Sequence, residues 1–119
     1  MKAQVIIALL LISTAQSLPD LVKCVNDVRI VVQDIGKISA NAVDVPAMLG
    51  LADHADHAVI DCGNAYRIIS SPKCQSAIHN LISTAKASGH RIRASPRTAY
   101  GDALNVAQKA KVVDISCVQ

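Results

Sequence analysis

Apolar residues recur along most of the chain at alternating steps of four and three, which places them on one face of an α-helix. The first of these stripes consists of Leu21, Val25, Val28, Val32 and Ile35. Similar stripes predict four amphipathic helices near residues 20–39, 46–70, 72–88 and 96–117. None of these four segments shows the strict alternation of apolar and polar residues that is typical of a β-strand.

Residues at the stripe boundaries match the signals that begin and end helices. The last three stripes each follow a capping residue and a proline: Asp44 with Pro46, Ser71 with Pro72, and Ser95 with Pro96. Gly89 follows the third stripe and is predicted to cap its helix, whereas Gly63 lies inside the second stripe and predicts a local kink or break. Because the two later connections are short, the sequence predicts an all-α, up-down four-helix bundle.

The N-terminal residues indicate the compartment. Lys2 precedes an apolar run from Val5 to Ile12, and Ala15 and Ser17 form the small-residue signature of a cleavage site. The run is shorter than the ~20 apolar residues that cross a bilayer, and no later run approaches that length. We therefore expect a signal peptide at 1–17 and a single helical domain at 18–119. The mature protein would be secreted or lumenal, without a transmembrane segment.

The cysteines predict two disulfides. Four cysteines in a secreted chain indicate disulfide bonding, and their spacing is too wide for the closely paired ligands of a zinc site. They are Cys24, Cys62, Cys74 and Cys117. At a rise of ~1.5 Å per residue, an up-down bundle brings all four to the same end. If the helices form a square in chain order, diagonal pairs lie too far apart to be bridged.

Two disulfide connectivities survive this argument. One joins Cys24 to Cys62 and Cys74 to Cys117. The other joins Cys62 to Cys74 and Cys24 to Cys117, and we favour it because it staples the second hairpin and ties the chain ends together. In the chain-entropy model its longer loop contributes ~4–5 kcal/mol and its shorter loop ~3 kcal/mol.

The segment LADHADHAVIDCG, residues 51–63, concentrates histidine and aspartate. In the predicted second helix His54, His57 and Asp61 lie more than about 100° from the centre of the apolar stripe, so we expect them to face water. Two histidines and a carboxylate also form a known kind of metal site. An exposed histidine pair lacks the neighbours that orient metal ligands, and we predict no metal site here.

Patterns typical of enzymes are absent from the sequence. There is no G-x-S-x-G turn after a strand and no phosphate- or dinucleotide-binding glycine pattern. Paired cysteines leave no thiol nucleophile, so we expect neither an enzyme nor a cofactor. Without residues 1–17 the chain has 11 basic and 9 acidic residues, and a net charge of +2 gives no indication of nucleic-acid binding.

A basic segment, GHRIRASPR at 89–97, connects the last two predicted helices. Its residues Arg91, Arg93 and Arg97 are predicted at the end opposite the cysteines. Guanidinium groups suit phosphate and carboxylate, so these three are candidates for contact with an anion or a lipid headgroup. The alternative is a solvated basic loop.

The segment DCGNAYRIIS, residues 61–70, resembles the Asp-Cys-x-x-x-Tyr segment of plant invertase and pectin methylesterase inhibitors. The resemblance covers only these residues and implies a secreted four-helix bundle with two disulfides. The chain lacks the closely spaced cysteine pair of that family's N-terminal hairpin, and no function is carried over.

Apolar composition leads to the functional expectation. The stripes consist mainly of Ala, Val, Ile and Leu without Phe or Trp, which is compatible with a modest space for an apolar ligand between helices and equally with tight helix packing without a cavity. We expect a secreted, non-enzymatic binding protein that carries a lipid or another small apolar molecule. The alternative is a secreted protein-interaction module, a signal, inhibitor or effector, because aliphatic residues also lie off the stripes. These are Leu49, Ile60, Leu104, Val112 and Ile115.

Overall fold

The structure, a computed structural model, describes residues 18–118 and confirms an all-α four-helix bundle. The predicted signal peptide lies outside the described residues. The helices are α1 (Leu18–Gly36), α2 (Val45–Tyr66), α3 (Pro72–Ala94) and α4 (Tyr100–Val118), with a 3₁₀ turn at Pro96–Thr98. Within residues 18–118 the β-structure is limited to an isolated bridge between Ser39 and Ala42. No helix in this part of the chain is both long enough and apolar enough to span a bilayer.

Side chains close the start of two helices as predicted. The Asp44 carboxylate accepts a hydrogen bond from the Ala47 amide at 3.4 Å, and Pro46 lies in the first turn of α2. The Ser71 hydroxyl accepts one from the Cys74 amide at 3.2 Å. Each bond satisfies an amide that has no partner inside the helix.

The boundaries of α3 and α4 differ from the prediction. Gly89 does not end α3, which continues to Ala94, and no glycine within residues 18–118 has a positive φ. The reason is that Ile92 extends the apolar face beyond Gly89 and is completely buried. Ser95 therefore closes α3 through its amide, which donates to the Arg91 carbonyl, and α4 begins only at Tyr100.

The other helices agree with the prediction more closely. The α1 helix ends at Gly36 and α2 at Tyr66, each a few residues before the predicted boundary. The α2 helix runs unbroken through Gly63. A Cβ atom at that position would meet only Ile82 Cδ1 at 3.9 Å, so the glycine marks neither a break nor a tight approach.

The helices pack in chain order around a square, and α4 closes the square against α1. The core combines medium-sized side chains with many alanines, which allow the helices to approach closely. The largest fully buried side chains include Met48, Leu51, Ile78, Leu81 and Ile92. Buried alanines lie on all helices except α1, for example Ala52, Ala55, Ala58, Ala85, Ala103 and Ala110.

Two disulfides join antiparallel neighbours at one end of the bundle, but in the connectivity that the sequence analysis did not favour. Cys24 is bonded to Cys62 and Cys74 to Cys117, with Cα–Cα distances of 4.5 and 4.8 Å. The preferred pairing of Cys62 with Cys74 and Cys24 with Cys117 is therefore wrong. All four cysteines lie at the same end of the bundle axis, so their positions along that axis do not select a pairing. The rotation of each helix about its own axis selects it, by turning each cysteine towards one neighbouring helix. Cys62 faces α1, and Cys24 and Cys62 are both completely buried.

Candidate functional site

Two adjoining clefts open at the disulfide end, which we define as the start of α1, residues 67–71, the start of α3 and the end of α4. The first cleft, about 200 Å³, lies between Leu21, Ile68, Ile69 and Cys117. The second, which we call the α1/α4 groove, has a volume of about 320 Å³. Its apolar lining is Leu21, Val22, Val25 and Val118. Both clefts include Leu21 and Cys117, so they form one continuous surface.

Apolar side chains protrude around these clefts. Val22 and Val118 are each 52% exposed, and Ile68 is 45% exposed. They come from the first helix, the connection between α2 and α3, and the last residue of α4. Folding therefore brings together three aliphatic side chains that are distant in sequence.

Basic side chains accompany the apolar ones. Lys23 follows Val22, Arg67 precedes Ile68, and Lys73 lies in the first turn of α3. All three residues are exposed, and none forms an ion pair with another residue of the described chain. The disulfide end thus combines aliphatic and cationic groups.

The arginines of the basic segment are not directed to a common point. Arg91 donates to the Asp102 carboxylate of α4 at 2.9 Å and to the Ser88 hydroxyl at 3.3 Å. Arg93 contacts Asp53 of α2 at 2.9 Å and also bonds to Asp56.

Arg91 and Arg93 therefore bind carboxylates on opposite flanks of α3. Hydrogen bonds that Arg93 donates to Asp53 and Asp56 raise the pKa of Arg93 above its ordinary value. Arg97 is exposed and, unlike Arg91 and Arg93, makes no ion pair with a carboxylate within residues 18–118. Anion contact at these three arginines stays a prediction.

The histidine-rich segment faces α1 more than the sequence analysis expected. His54 Nδ1 lies 2.5 Å from the Asp34 carboxylate of α1, and 43% of the His54 side chain remains exposed. His57 is exposed, as predicted, but Asp61 is only partly exposed. The expectation that His54 and Asp61 simply face water is wrong. It was based on the angle of each residue from the apolar stripe of α2, and that angle does not show that α1 covers one flank of the helix. Among residues 18–118 no group of three or more metal-ligating side chains is arranged to hold an ion.

The most perturbed carboxyl group lies at this flank, on Asp27 of α1. Its Oδ2 atom is buried and receives no hydrogen bond from a donor within the described chain. Burial raises the pKa of Asp27 to about 6, with further increases from a hydrogen bond to the Asp61 side chain and from the charge of Asp61. His57 and His54 partly oppose this increase. Because two carboxylates are both acceptors, Asp27 and Asp61 can bond only when one of them holds a proton.

Several of these residues escaped the sequence analysis. Asp27 and Asp34 are seven residues apart and therefore share a helical face, which was a usable signal. Lys23 and Arg67 each adjoin an apolar residue in the sequence, but their common location depends on how four separate segments meet. Comparison of the chain with protein-family models, curated proteins and solved structures finds no match.

Proposed function

We propose that this is a secreted, non-enzymatic binding protein whose ligand is a small apolar molecule held in the α1/α4 groove. The observation that carries the proposal is the groove itself, which has about 320 Å³ of space. Four aliphatic side chains line it, Leu21, Val22, Val25 and Val118, and Asn26, Arg29 and Cys117 complete the lining. This volume lies at the lower end of the ~300–1,000 Å³ typical of small-molecule sites. Such a ligand would cover aliphatic surface that is otherwise in contact with water.

The packing of the core favours a surface site over an internal one. The interior of the bundle is filled by completely buried side chains such as Met48, Leu51, Ile78 and Leu81. A ligand between the helices would have to displace them, whereas the α1/α4 groove is already open to solvent. The groove suits a short acyl chain or a compact apolar molecule.

The disulfides support an oxidising compartment for this function. Both cysteine pairs are bonded, and no free cysteine remains. Disulfides persist in secreted and lumenal proteins and are rare where thiols are kept reduced. Secretion is therefore part of the proposal, although the predicted signal peptide at 1–17 lies outside the described residues.

Displacement of a fluorescent fatty acid tests the site. A charge in the groove should exclude an apolar ligand, so Val22→Asp is expected to weaken binding by tenfold or more. Ile60→Asp is the matched control, because Ile60 is an aliphatic residue on α2, 60% exposed and absent from the groove. Unchanged binding by Val22→Asp, or no binding by the wild type at micromolar concentrations, would contradict the proposal.

A protein-interaction module is the second candidate. Aliphatic side chains outside the groove favour it, since a ligand carrier has no need of them: Ile60, Val112 and Ile115 are 60, 48 and 49% exposed. Native mass spectrometry of the protein purified from its source separates the two functions. A bound small molecule supports the carrier, and a stable protein complex without a small molecule supports the interaction module.

A further inference from the structure

We propose that the disulfide end docks on the surface of an anionic lipid bilayer. Val22, Ile68 and Val118 would enter the boundary between headgroups and acyl chains, while Lys23, Arg67 and Lys73 contact the lipid phosphates. Val22 and Val118 also line the proposed ligand groove. The inference rests on the proposed function, because it names a membrane as the source of the apolar ligand.

The apolar part of this surface is contiguous. Val22 and Val118 line the α1/α4 groove, and Ile68 lines the adjoining cleft. Leu21 and Cys117 contribute to both clefts and connect them. Single exposed aliphatic residues are ordinary on protein surfaces, but a cluster around joined clefts forms a patch suited to an apolar environment.

The charges of this end complement an anionic surface. Lys23, Arg67 and Lys73 form no ion pairs within residues 18–118, whereas Arg29, Arg91 and Arg93 bind carboxylates. One carboxylate of the end, Asp114, is already paired with Arg29 at 3.0 Å. Asp20, in the first turn of α1, forms no ion pair in the described chain and opposes the three cations. These groups leave a net positive charge, which the carboxyl pair of Asp27 and Asp61, beside the Cys24–Cys62 disulfide, reduces.

The order of these groups in the sequence favours a bilayer over an acidic protein. In Val22–Lys23 and Arg67–Ile68 an aliphatic residue adjoins a basic one, so each segment can place its side chain in the acyl boundary and its cation at phosphate depth. The two disulfides hold α1 to α2 and α3 to α4 at this end. The surface is therefore ordered before it meets the membrane, which reduces the entropy lost on docking.

Two of the three arginines at the opposite end are already bound to carboxylates, and Arg97 is the exception within residues 18–118. Arg91 and Arg93, which the sequence analysis named as candidates for headgroup contact, are bound to Asp102 and to Asp53 and Asp56. Contact with a phosphate would require these arginines to exchange partners. Lys23, Arg67 and Lys73 need no such exchange.

Vesicle sedimentation with the full-length mature protein tests the charge requirement. We expect binding to vesicles of phosphatidylcholine mixed with phosphatidylserine, no binding to phosphatidylcholine alone, and release by high salt. The triple variant Lys23→Gln, Arg67→Gln and Lys73→Gln should bind about 100-fold more weakly, at roughly fivefold for each cation. The triple variant Lys37→Gln, Lys86→Gln and Lys109→Gln loses the same charge elsewhere and should bind like the wild type. Equal loss in both triple variants would overturn the proposal.

A tryptophan reporter tests the depth of insertion. The chain contains no tryptophan, so Ile68→Trp introduces a single probe. Its emission should shift to shorter wavelength on phosphatidylserine vesicles, and that of Ile60→Trp should not. Inorganic phosphate should not reproduce the shift, and a shift with phosphate alone would mean a phosphate site instead of a membrane surface. The absence of any vesicle binding, together with a protein complex in native mass spectrometry, would overturn lipid docking and leave a protein partner.

Fatty-acid displacement by the first triple variant separates this inference from the proposed function. If the variant binds fatty acid normally but not vesicles, both proposals stand. If the wild type binds vesicles but no fatty acid, the docking surface stands and the ligand groove fails. If the wild type binds fatty acid but not vesicles, the groove stands and the docking surface fails.

Discussion

Replacing Asp27 by asparagine removes the titrating member of the carboxyl pair between α1 and α2. The asparagine amide can donate a hydrogen bond to the Asp61 carboxylate at every pH. The Asp27 carboxyl can do so only at low pH, when it is protonated. The pKa of Asp27 is raised from its ordinary 3.8 to about 6, chiefly by burial and then by Asp61. A raised pKa means that the folded state holds this proton more tightly than the unfolded state does.

The sign and size of the effect follow from this linkage. The contribution of the protonated pair to the free energy of unfolding is complete below pH 3.8 and is lost as the pH rises through about 6. At ~1.36 kcal/mol for each pH unit, the full loss would be about 3 kcal/mol. Because the Asp27 side chain is partly exposed, solvent screening reduces the expected value to about 1–2 kcal/mol.

Urea denaturation at a series of pH values measures this directly. The free energy of unfolding of Asp27→Asn, relative to that of the wild type, should rise by about 1–2 kcal/mol between pH 4 and pH 7.5. Most of this rise should be complete by about pH 6. Asp61→Asn should give a smaller gain, because it removes the contribution of Asp61 to the raised pKa of Asp27 but leaves Asp27 buried, which is the larger cause. Asp20→Asn, on the same helix, should leave the pH dependence of the wild type in place. A difference between Asp27→Asn and the wild type that is constant across this range would refute the shared proton.

Two further predictions concern the covalent and capping interactions. The disulfides close loops with sequence separations of 38 and 43 residues, so the chain-entropy model assigns each about 4 kcal/mol. Replacing either cysteine pair by serine should lower the free energy of unfolding by up to that amount in urea titrations. The pairing itself is tested by a non-reducing peptide map, and a peptide that joins Cys62 to Cys74 would contradict the connectivity. Ser71→Ala removes the hydroxyl that accepts from the Cys74 amide and should destabilise by about 1 kcal/mol, whereas Ser70→Ala, whose hydroxyl makes no described hydrogen bond, should have little effect.

The helical bundle could be read from the sequence because its causes are local. A repeat of four and three puts apolar residues on one face of a helix wherever that helix packs, and Asp44 and Ser71 cap α2 and α3 through bonds within one turn. The position of all four cysteines at one end follows from helix rise and chain direction alone. Gly89 shows the limit of local signals, because burial of Ile92 carries α3 through a residue that often ends a helix.

The candidate site depends on features that a single helix does not specify. The choice between two disulfide pairings, the covering of His54 by Asp34, and the raised pKa of Asp27 each depend on the rotation of one helix against its neighbour. The disulfide end joins Val22, Ile68 and Val118 across most of the chain length. Sequence periodicity determined which face of each helix is buried. Only the tertiary structure decided which flanks of neighbouring helices contact each other. The rotation of each helix depends on the packing of all four helices together, so no single helix specifies it.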